Sequence, residues 1–333
     1  MMISASKGFI NQSEKYSTDN AGTSKSKYIH LKKGELAYNH GNSKVKKYGA
    51  VFMLEQDNAL VPFVYHCFSI NKNQNSKYWA YYLNTVRHDR YLRKIVCSTA
   101  RLDGLLNISS EDYFKMPVNY PELDEQNKVT RFLDLLYRKI ELIEAKINTL
   151  KKYKKGIIKN LLKKSIFTDF LRLSDVCKID TGKLDANQMV TEGKYKFFTC
   201  SREDFYIDSY AFDCEAILIS GNGDVGFSKY YKGKFNAYQR TYVLHDFLIN
   251  AKYIKIIFDE NVSKIIKKET NIGAMPYIRK STFDKVLIPK IKKESIEYFV
   301  SIYDSIEYKI NSFESKLNSI KCFRNQLLKD MFI

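Results

Sequence analysis

The chain contains one long helical pattern twice. Over residues 122–164, apolar side chains fall at Val129, Leu133, Leu136, Ile140, Ile143, Ile147, Leu150, Ile157 and Leu161, in alternating steps of four and three, with Lys154 at the interrupted position. Over residues 290–333 they fall at Phe299, Tyr303, Ile306, Ile310, Phe313, Leu317, Ile320, Leu327 and Met331, and Arg324 takes the interruption. Adding 170 to each number of the first series gives the second. Identical residues at that offset include Asp134 and Asp304, Glu144 and Glu314, Lys146 and Lys316, and Lys151 and Lys321, so the pattern marks an internal duplication. Spacing near 3.5 residues, held for roughly five heptads, predicts a coiled-coil helix about 50 Å long at about 1.5 Å per residue. Neither segment contains anything else to cover its stripe, so the two helices are expected to pack on each other. The linker lengths permit a parallel or an antiparallel pair.

Around these helices the chain divides into a globular unit over 1–120, a helix over 121–165, a second globular unit over 166–289 and a second helix over 290–333. In the second unit, residues 195–199, 215–220 and 241–244 are short β-branched or aromatic runs. Turn clusters at 180–183, 221–226 and 232–234 separate them. Residues 253–269 read as one helix, which predicts an α+β domain on a twisted, mainly antiparallel sheet. In the first unit, residues 79–83 are expected to begin a helix and 98–102 to form an exposed loop. The two units do not align simply with each other. An isolated coiled coil would suggest plain oligomerisation. A spacer duplicated within one chain, with a different globular unit on each copy, points instead to a ruler between two recognition modules.

Charge indicates the kind of partner. Fifty-five Lys plus Arg against 37 Asp plus Glu leave a net +18 on 333 residues. Such an excess favours a polyanion, and nucleic acid before a membrane surface, because phosphate charge is dense and regular. With 44% hydrophobic residues and only 5 Pro, the chain can bury cores and is no basic disordered tail. Cys67, Cys97, Cys177, Cys200, Cys214 and Cys322 are scattered without metal-ligand spacing. They are expected to be free, buried thiols in a reducing compartment. No secretory apolar region opens the sequence and no run approaches the roughly 20 apolar residues of a membrane helix, so a soluble, cytoplasmic protein is expected.

Recognition chemistry concentrates around the glycine-rich stretch 221–226. Gly221, Gly223 and Gly226 match the letters of a dinucleotide fingerprint. Aromatic, strand-like residues follow where that fingerprint needs a helix N-terminus, so a hairpin loop is expected. Beyond it, Lys229, Lys232, Lys234, Gln239 and Arg240 interleave with Tyr230, Tyr231, Phe235 and Tyr238. Lysine and arginine neutralise phosphates, and glutamine and arginine form bidentate hydrogen bonds to purine edges. A solvated basic hairpin with its tyrosines in the core would give the same pattern. Glu144 with Lys146, and Glu314 with Lys316, reproduce the Glu-x-Lys of a metal-dependent nuclease. They fall on an exposed polar side of the heptads, without further carboxylates to hold Mg²⁺. No Asn/Asp-Pro-Pro-Tyr/Phe tetrapeptide of a methyltransferase occurs, and His30, His40, His66, His88 and His245 form no cluster. A reader is expected here, and no enzyme.

Taken in order, these segments resemble the DNA-specificity subunits of type I restriction–modification systems. Residues 121–129, Pro-Glu-Leu-Asp-Glu-Gln-Asn-Lys-Val, are similar to the opening of that family's conserved spacer helix, and 151–162 to its basic, leucine-ending close. Residues 193–199, 216–220 and 233–240 resemble core strands of a target recognition domain, 170–183 the usual start of one, and 3–9 with Tyr38 and Asn39 the middle of another. The first domain shows no such start and is expected to lack its N-terminal part. The fold expected on these grounds is α+β: two target-recognition-type domains separated by two long helices that pair as an antiparallel coiled coil, a pseudo-twofold internal repeat.

The resemblance implies a subunit without catalytic activity that reads a bipartite double-stranded DNA site, one domain per half-site, while the helices set the spacer. It implies two docked methyltransferase (modification) subunits and further restriction subunits, with S-adenosylmethionine, ATP and Mg²⁺ used by those partners and no cofactor in this chain. DNA contacts are expected from Lys7, Asn39, Arg101, Ser201, Arg202, Lys229, Lys232, Lys234, Tyr238, Gln239 and Arg240. Leu133, Leu136, Ile140, Ile143, Ile147, Leu150, Ile306, Ile310, Phe313, Leu317 and Ile320 are expected to form the spacer and partner helices. The alternatives are a coiled-coil adaptor that reads no DNA, or an inactive truncated specificity allele. Salt separates reader from adaptor: a reader's DNA affinity falls with a log–log slope near −0.9 per phosphate contact, whereas an adaptor binds no DNA at moderate salt.

Overall fold

A computed structural model describes residues 1–4, 8–11, 28–41, 46–96, 106, 108–161, 169–269 and 277–332. Lys7, Arg101, Cys97 and the loop expected at 98–102 lie outside them. Two compact units are present: residues 1–145 with 315–333, and residues 146–314. No helix among the described residues is long and apolar enough to cross a membrane.

The first unit is built from small antiparallel sheets. β1 (Met2–Ser4) pairs with β2 (Gly8–Ile10), and β3 (Tyr28–Lys32) pairs with β6 (Asn58–Pro62). β4 (Leu36–Asn39) lies between β5 (Ala50–Met53) and β7 (His66–Phe68). Three short helices follow, α1 (Ser76–Tyr82), α2 (Asp89–Ile95) and α3 (Ser110–Phe114), and then the long α4 (Leu123–Leu161). Helix α1 starts three residues before the expected Trp79 and ends where the sequence suggested a beginning. The reason is Asn75, whose side chain accepts from the Lys77 and Tyr78 amides and so caps the first turn. Its core is aromatic, with Tyr38 stacked on Tyr113 at 4.1 Å. Val129 and Leu133 of α4 complete that core, Leu133 with no exposed surface.

In the second unit, β8 (Phe170–Arg172) and α5 (Leu173–Val176) lead into β9 (Lys178–Thr181), β10 (Tyr195–Phe198), β11 (Phe205–Ile207), β12 (Phe212–Ser220), β13 (Ser228–Ala237) and β14 (Thr241–His245). The last six strands form one sheet in the order β11-β10-β13-β12-β14-β9, parallel only between β10 and β13. Then come α6 (Ala251–Glu269), α7 (Lys280–Phe283), β15 (Leu287–Pro289), which pairs with β8, and the long α8 (Lys293–Met331). Alternation along β12 serves both faces: Ile217 and Ile219 pack in a core with Tyr253, Ile254, Ile257 and Phe258 of α6, while Ala216 and Leu218 join Phe198, Phe235 and Val243 on the other. Residues 221–226 do form a hairpin loop, between β12 and β13. Residues 232–234, expected as a turn, lie instead within β13 opposite Cys214 and its neighbours. Gly233 there has φ +134°, a conformation that lets the strand continue and that a side chain disfavours.

The long helices pair antiparallel within each unit. In the second, Lys151 reaches Glu314 at 2.7 Å, Lys154 pairs with Glu307, and Lys146 lies over the Phe313 ring. In the first, Lys321 reaches Glu144 at 2.6 Å and Arg324 lies over the Tyr137 ring. From Lys151–Glu314 to Lys154–Glu307, and from Tyr137–Arg324 to Glu144–Lys321, rising numbers on α4 meet falling numbers on α8. The Lys151–Glu314 pair recurs as Lys321–Glu144 at the 170-residue offset, and the two interrupted positions, Lys154 and Arg324, both turn to the opposite helix. Glu144 and Glu314 are thus half-exposed interhelical partners, where a wholly solvated face was expected. Such pairs contribute about 0.2–1 kcal/mol each, so the apolar seam supplies most of the stability.

Along the seam Leu136, Ile140, Ile143, Ile147, Ile306 and Ile310 are buried, and Leu150, Phe313, Leu317 and Ile320 are partly buried. Past Lys154 the buried residue is Ile158, with the expected Ile157 only partly covered, because a 3.6-residue helix drifts from a 3.5-residue repeat. Of the thiols, Cys177 is buried, Cys67, Cys200 and Cys214 are partly so, and Cys322 is exposed, contrary to expectation; all five are free. Phe323, the neighbour of Cys322, is exposed as well, so this side of α8 faces solvent. Leu133→Ala is expected to destabilise the protein by about 2–5 kcal/mol, while Leu135→Ala, at a side chain 69% exposed, stays within about 0.5 kcal/mol; chemical denaturation followed by circular dichroism checks both.

Candidate nucleic-acid interface

Four connecting segments of the second unit are laced into one rim. The β13–β14 turn, residues 238–240, lies at its centre. The Arg240 carbonyl accepts from the Gly221 amide at 3.0 Å and from the Cys200 thiol at 3.2 Å, joining the β12–β13 loop and the β10–β11 loop. The Gln239 amide donates to the Leu184 carbonyl at 2.9 Å, joining the segment after β9. Gly221 is obligatory, since a Cβ there would stand 2.6 Å from the Arg240 carbonyl oxygen. Gly182 is more tightly bound still, its Cβ position lying 2.0 Å from the Ala237 carbonyl oxygen.

The side chains of this unit expected to contact DNA have different employments. Lys229 is committed to the protein: its Nζ donates to the carbonyls of Arg202 and Glu203 at 2.8 and 3.0 Å and to Asp204 at 3.0 Å. Ser201 shapes the same loop, its hydroxyl accepting from the Glu203 amide at 3.1 Å. Arg202 pairs through Nε with Asp224 and lies over the Phe227 ring. Gln239 donates through Nε2 to Asp185 at 2.8 Å, which fixes which end of the amide is free. Lys234 lies over the Tyr210 ring at 4.6 Å. Tyr238 is half-buried, its amide donating to the Phe198 carbonyl at 2.9 Å. Lys232 and Arg240 are exposed, with no side-chain hydrogen bond or ion pair among the described residues. Hydrogen bonds from Lys196 and then Lys229 hold the Asp204 carboxyl below the usual range. A depressed value means that the fastening is complete above about pH 4 and fades as the pH falls through the folded value.

In the first unit, Asn39 joins β4 to β1: its amide donates to the Ile3 carbonyl at 2.9 Å, and its oxygen accepts from Gly41 at 3.0 Å. Both ends of the side chain are therefore occupied within the protein.

A repeated anchor escaped the sequence reading. Asn75-x-Lys77-Tyr78 and Asn250-x-Lys252-Tyr253 share three of four residues, a pattern that a search for short gapped repeats would have found. Each asparagine caps its helix, α1 or α6. Each lysine reaches the duplicated aspartate of the long helix in its own unit, Lys77 to Asp134 at 3.1 Å and Lys252 to Asp304 at 2.6 Å. Each tyrosine is buried. Gln126 of the Glu-Gln segment is fully buried and satisfied: its oxygen accepts from the Asn75 amide, and its Nε2 donates to Gln74 and to the Pro121 carbonyl. The duplication therefore reaches from the spacer helices into the globular units. Among the described residues, no group of three or more His, Cys, Asp or Glu could hold a metal ion.

Two strand-built domains, each anchored by a capped helix to a segment of a duplicated long helix pair, make up the chain. The sequence profile of the type I restriction modification DNA specificity domain matches residues 4–152 and 168–321. The chain belongs to that family. The specificity subunit of the type I restriction enzyme EcoDI from Escherichia coli is 35% identical over 162 residues, 47% of this chain, which spans 36% of the length of that curated relative. The S subunit of a type I restriction-modification system from M. genitalium has a similar fold, with TM-score 0.63 at 15% identity over 92% of this chain and 85% of that one. A chain solved in a study of complex assembly and conformational transition of the type I R-M system gives TM-score 0.52 at 13% identity, over 92% and 84%.

Gly221→Ala is expected to destabilise the second unit by about 1–3 kcal/mol through its clash with the Arg240 carbonyl, read by urea titration. An NMR titration of the Asp204 carboxyl carbon is expected to give a pKa below the ordinary value of about 3.9.

Proposed function

We propose that this chain is the non-catalytic DNA-recognition subunit of a type I restriction-modification complex, with one globular domain for each half of a bipartite site and the paired helices setting the unread spacer. The observation that carries it is the rim of 146–314, where basic and amide side chains stand on interlocked loops of a family whose profile is that of a DNA specificity domain. Lys232 and Arg240, free of acidic partners, are placed in the role of phosphate contacts, and Gln239, oriented by Asp185, in that of a base reader. In this reading two methyltransferase subunits dock on the chain, and a second apolar stripe on α4 supports one such contact. Phe132, Leu135 and Leu142 are 44%, 69% and 63% exposed, beside a seam that is already filled. S-adenosylmethionine, ATP and Mg²⁺ chemistry belongs, in this reading, to the partner subunits.

The test is the pattern of methylated sites in cells carrying the complex. Gln239→Ala is expected to relax preference at a single position by about 1–3 kcal/mol. Lys232→Ala and Arg240→Ala weaken binding to all sequences and lower the salt slope by about one each. Insertion of four residues after Leu150, about one helical turn, is expected to lengthen the unread spacer while both half-sites stay the same; an unaltered spacer would refute the ruler.

A further inference from the structure

We infer that Arg202 reads a guanine in the half-site addressed by residues 146–314, and that Asp224 is the positioning residue that presents it; the inference rests on the DNA-reading function proposed above. The guanidinium is constrained on three sides. Its Nε donates to Asp224 Oδ2. Its Cζ lies over the Phe227 ring, 4.7 Å from the centroid. Its own backbone is held by Lys229, which donates to the Arg202 carbonyl at 2.8 Å. The carboxylate and the ring come from the same loop, closed by the Phe227 amide donating to the Asp224 carbonyl at 3.0 Å. The two terminal nitrogens make no hydrogen bond to the described residues, and the side chain is 71% exposed. What is left for a ligand is a flat pair of parallel donors whose orientation is set in advance.

Charge decides between a base and the backbone. Asp224 already offsets the arginine's charge, so the long-range attraction to a phosphate is largely cancelled. A phosphate at the fork would also come close to the Asp224 carboxylate, like charge beside like charge. The major-groove edge of guanine offers two neutral acceptors, N7 and O6, that the fork meets bidentately without that repulsion. A carboxylate on Nε also removes the competing fork made by Nε and one terminal nitrogen. Arg240, on the same rim, has no such carboxylate and keeps its full attraction for phosphate.

The experiment is selection of bound duplexes from a randomised library by the full-length chain at fixed salt. The wild type is expected to enrich guanine at one position of one half-site. Arg202→Ala, and Arg202→Lys, which keeps the charge and loses the fork, each lower that preference between about five-fold and about a hundred-fold, and leave other positions unchanged. Asp224→Asn lowers it as well, while Asp224→Glu, which still accepts from Nε, restores it; a merely structural role would show no such rescue at a single base. The inference is overturned if Arg202→Lys retains the guanine, if Arg202→Ala weakens all sequences equally with the salt slope reduced by about one, or if the selected sequences do not change. A wild-type chain that selects no sequence at all would instead sink the DNA-reading function itself.

Discussion

The apolar seam between the two long helices is the constraint on which the rest depends. A helix with a stripe every 3.5 residues and nothing in its own segment to cover it is unstable alone in water. Pairing buries Leu136, Ile140, Ile143, Ile147, Ile306 and Ile310, and it obliges residues far apart in sequence to lie side by side. The ion pairs at the edges contribute little energy by comparison, but their geometry allows one direction only. Because the stripe was duplicated, the same pair, lysine on one helix to glutamate on the other, appears in both units.

Each globular unit is attached to that scaffold by the same small device. An asparagine cap ends the loop and starts a helix, a lysine in its first turn reaches the duplicated aspartate, and a buried tyrosine fills the junction. Outside the anchor the units diverge, one into small sheets around an aromatic core, the other into a six-stranded sheet with interlocked loops. The attachment is shared by the two units while the sheets and loops beyond it differ.

On the rim of the second unit, acidic side chains matter as much as basic ones. Asp185, Asp204 and Asp224 orient Gln239, Lys229 and Arg202 respectively. Compensated side chains have direction without much long-range pull, whereas the uncompensated Arg240 has the reverse. In the function proposed here, affinity for any DNA and discrimination among sequences would be carried by different residues of one surface. A net charge of +18 foretells only the first.

Periodicity alone determined the long helices, their duplication and the need for them to pair, because a 3.5-residue apolar repeat has one stable use in water. Strand chemistry likewise marked β10, β12 and β14, and the aromatic run after Gly226 excluded a nucleotide loop. The direction of the helix pair was decided only in three dimensions, by which glutamate each lysine could reach, since the stripe reads the same both ways. The surroundings of the basic residues were also decided there. Lys229 and Arg240 are equivalent as letters, yet one is fastened to three oxygens of a neighbouring loop and the other stands free, a difference made by segments that meet only when the sheet has folded.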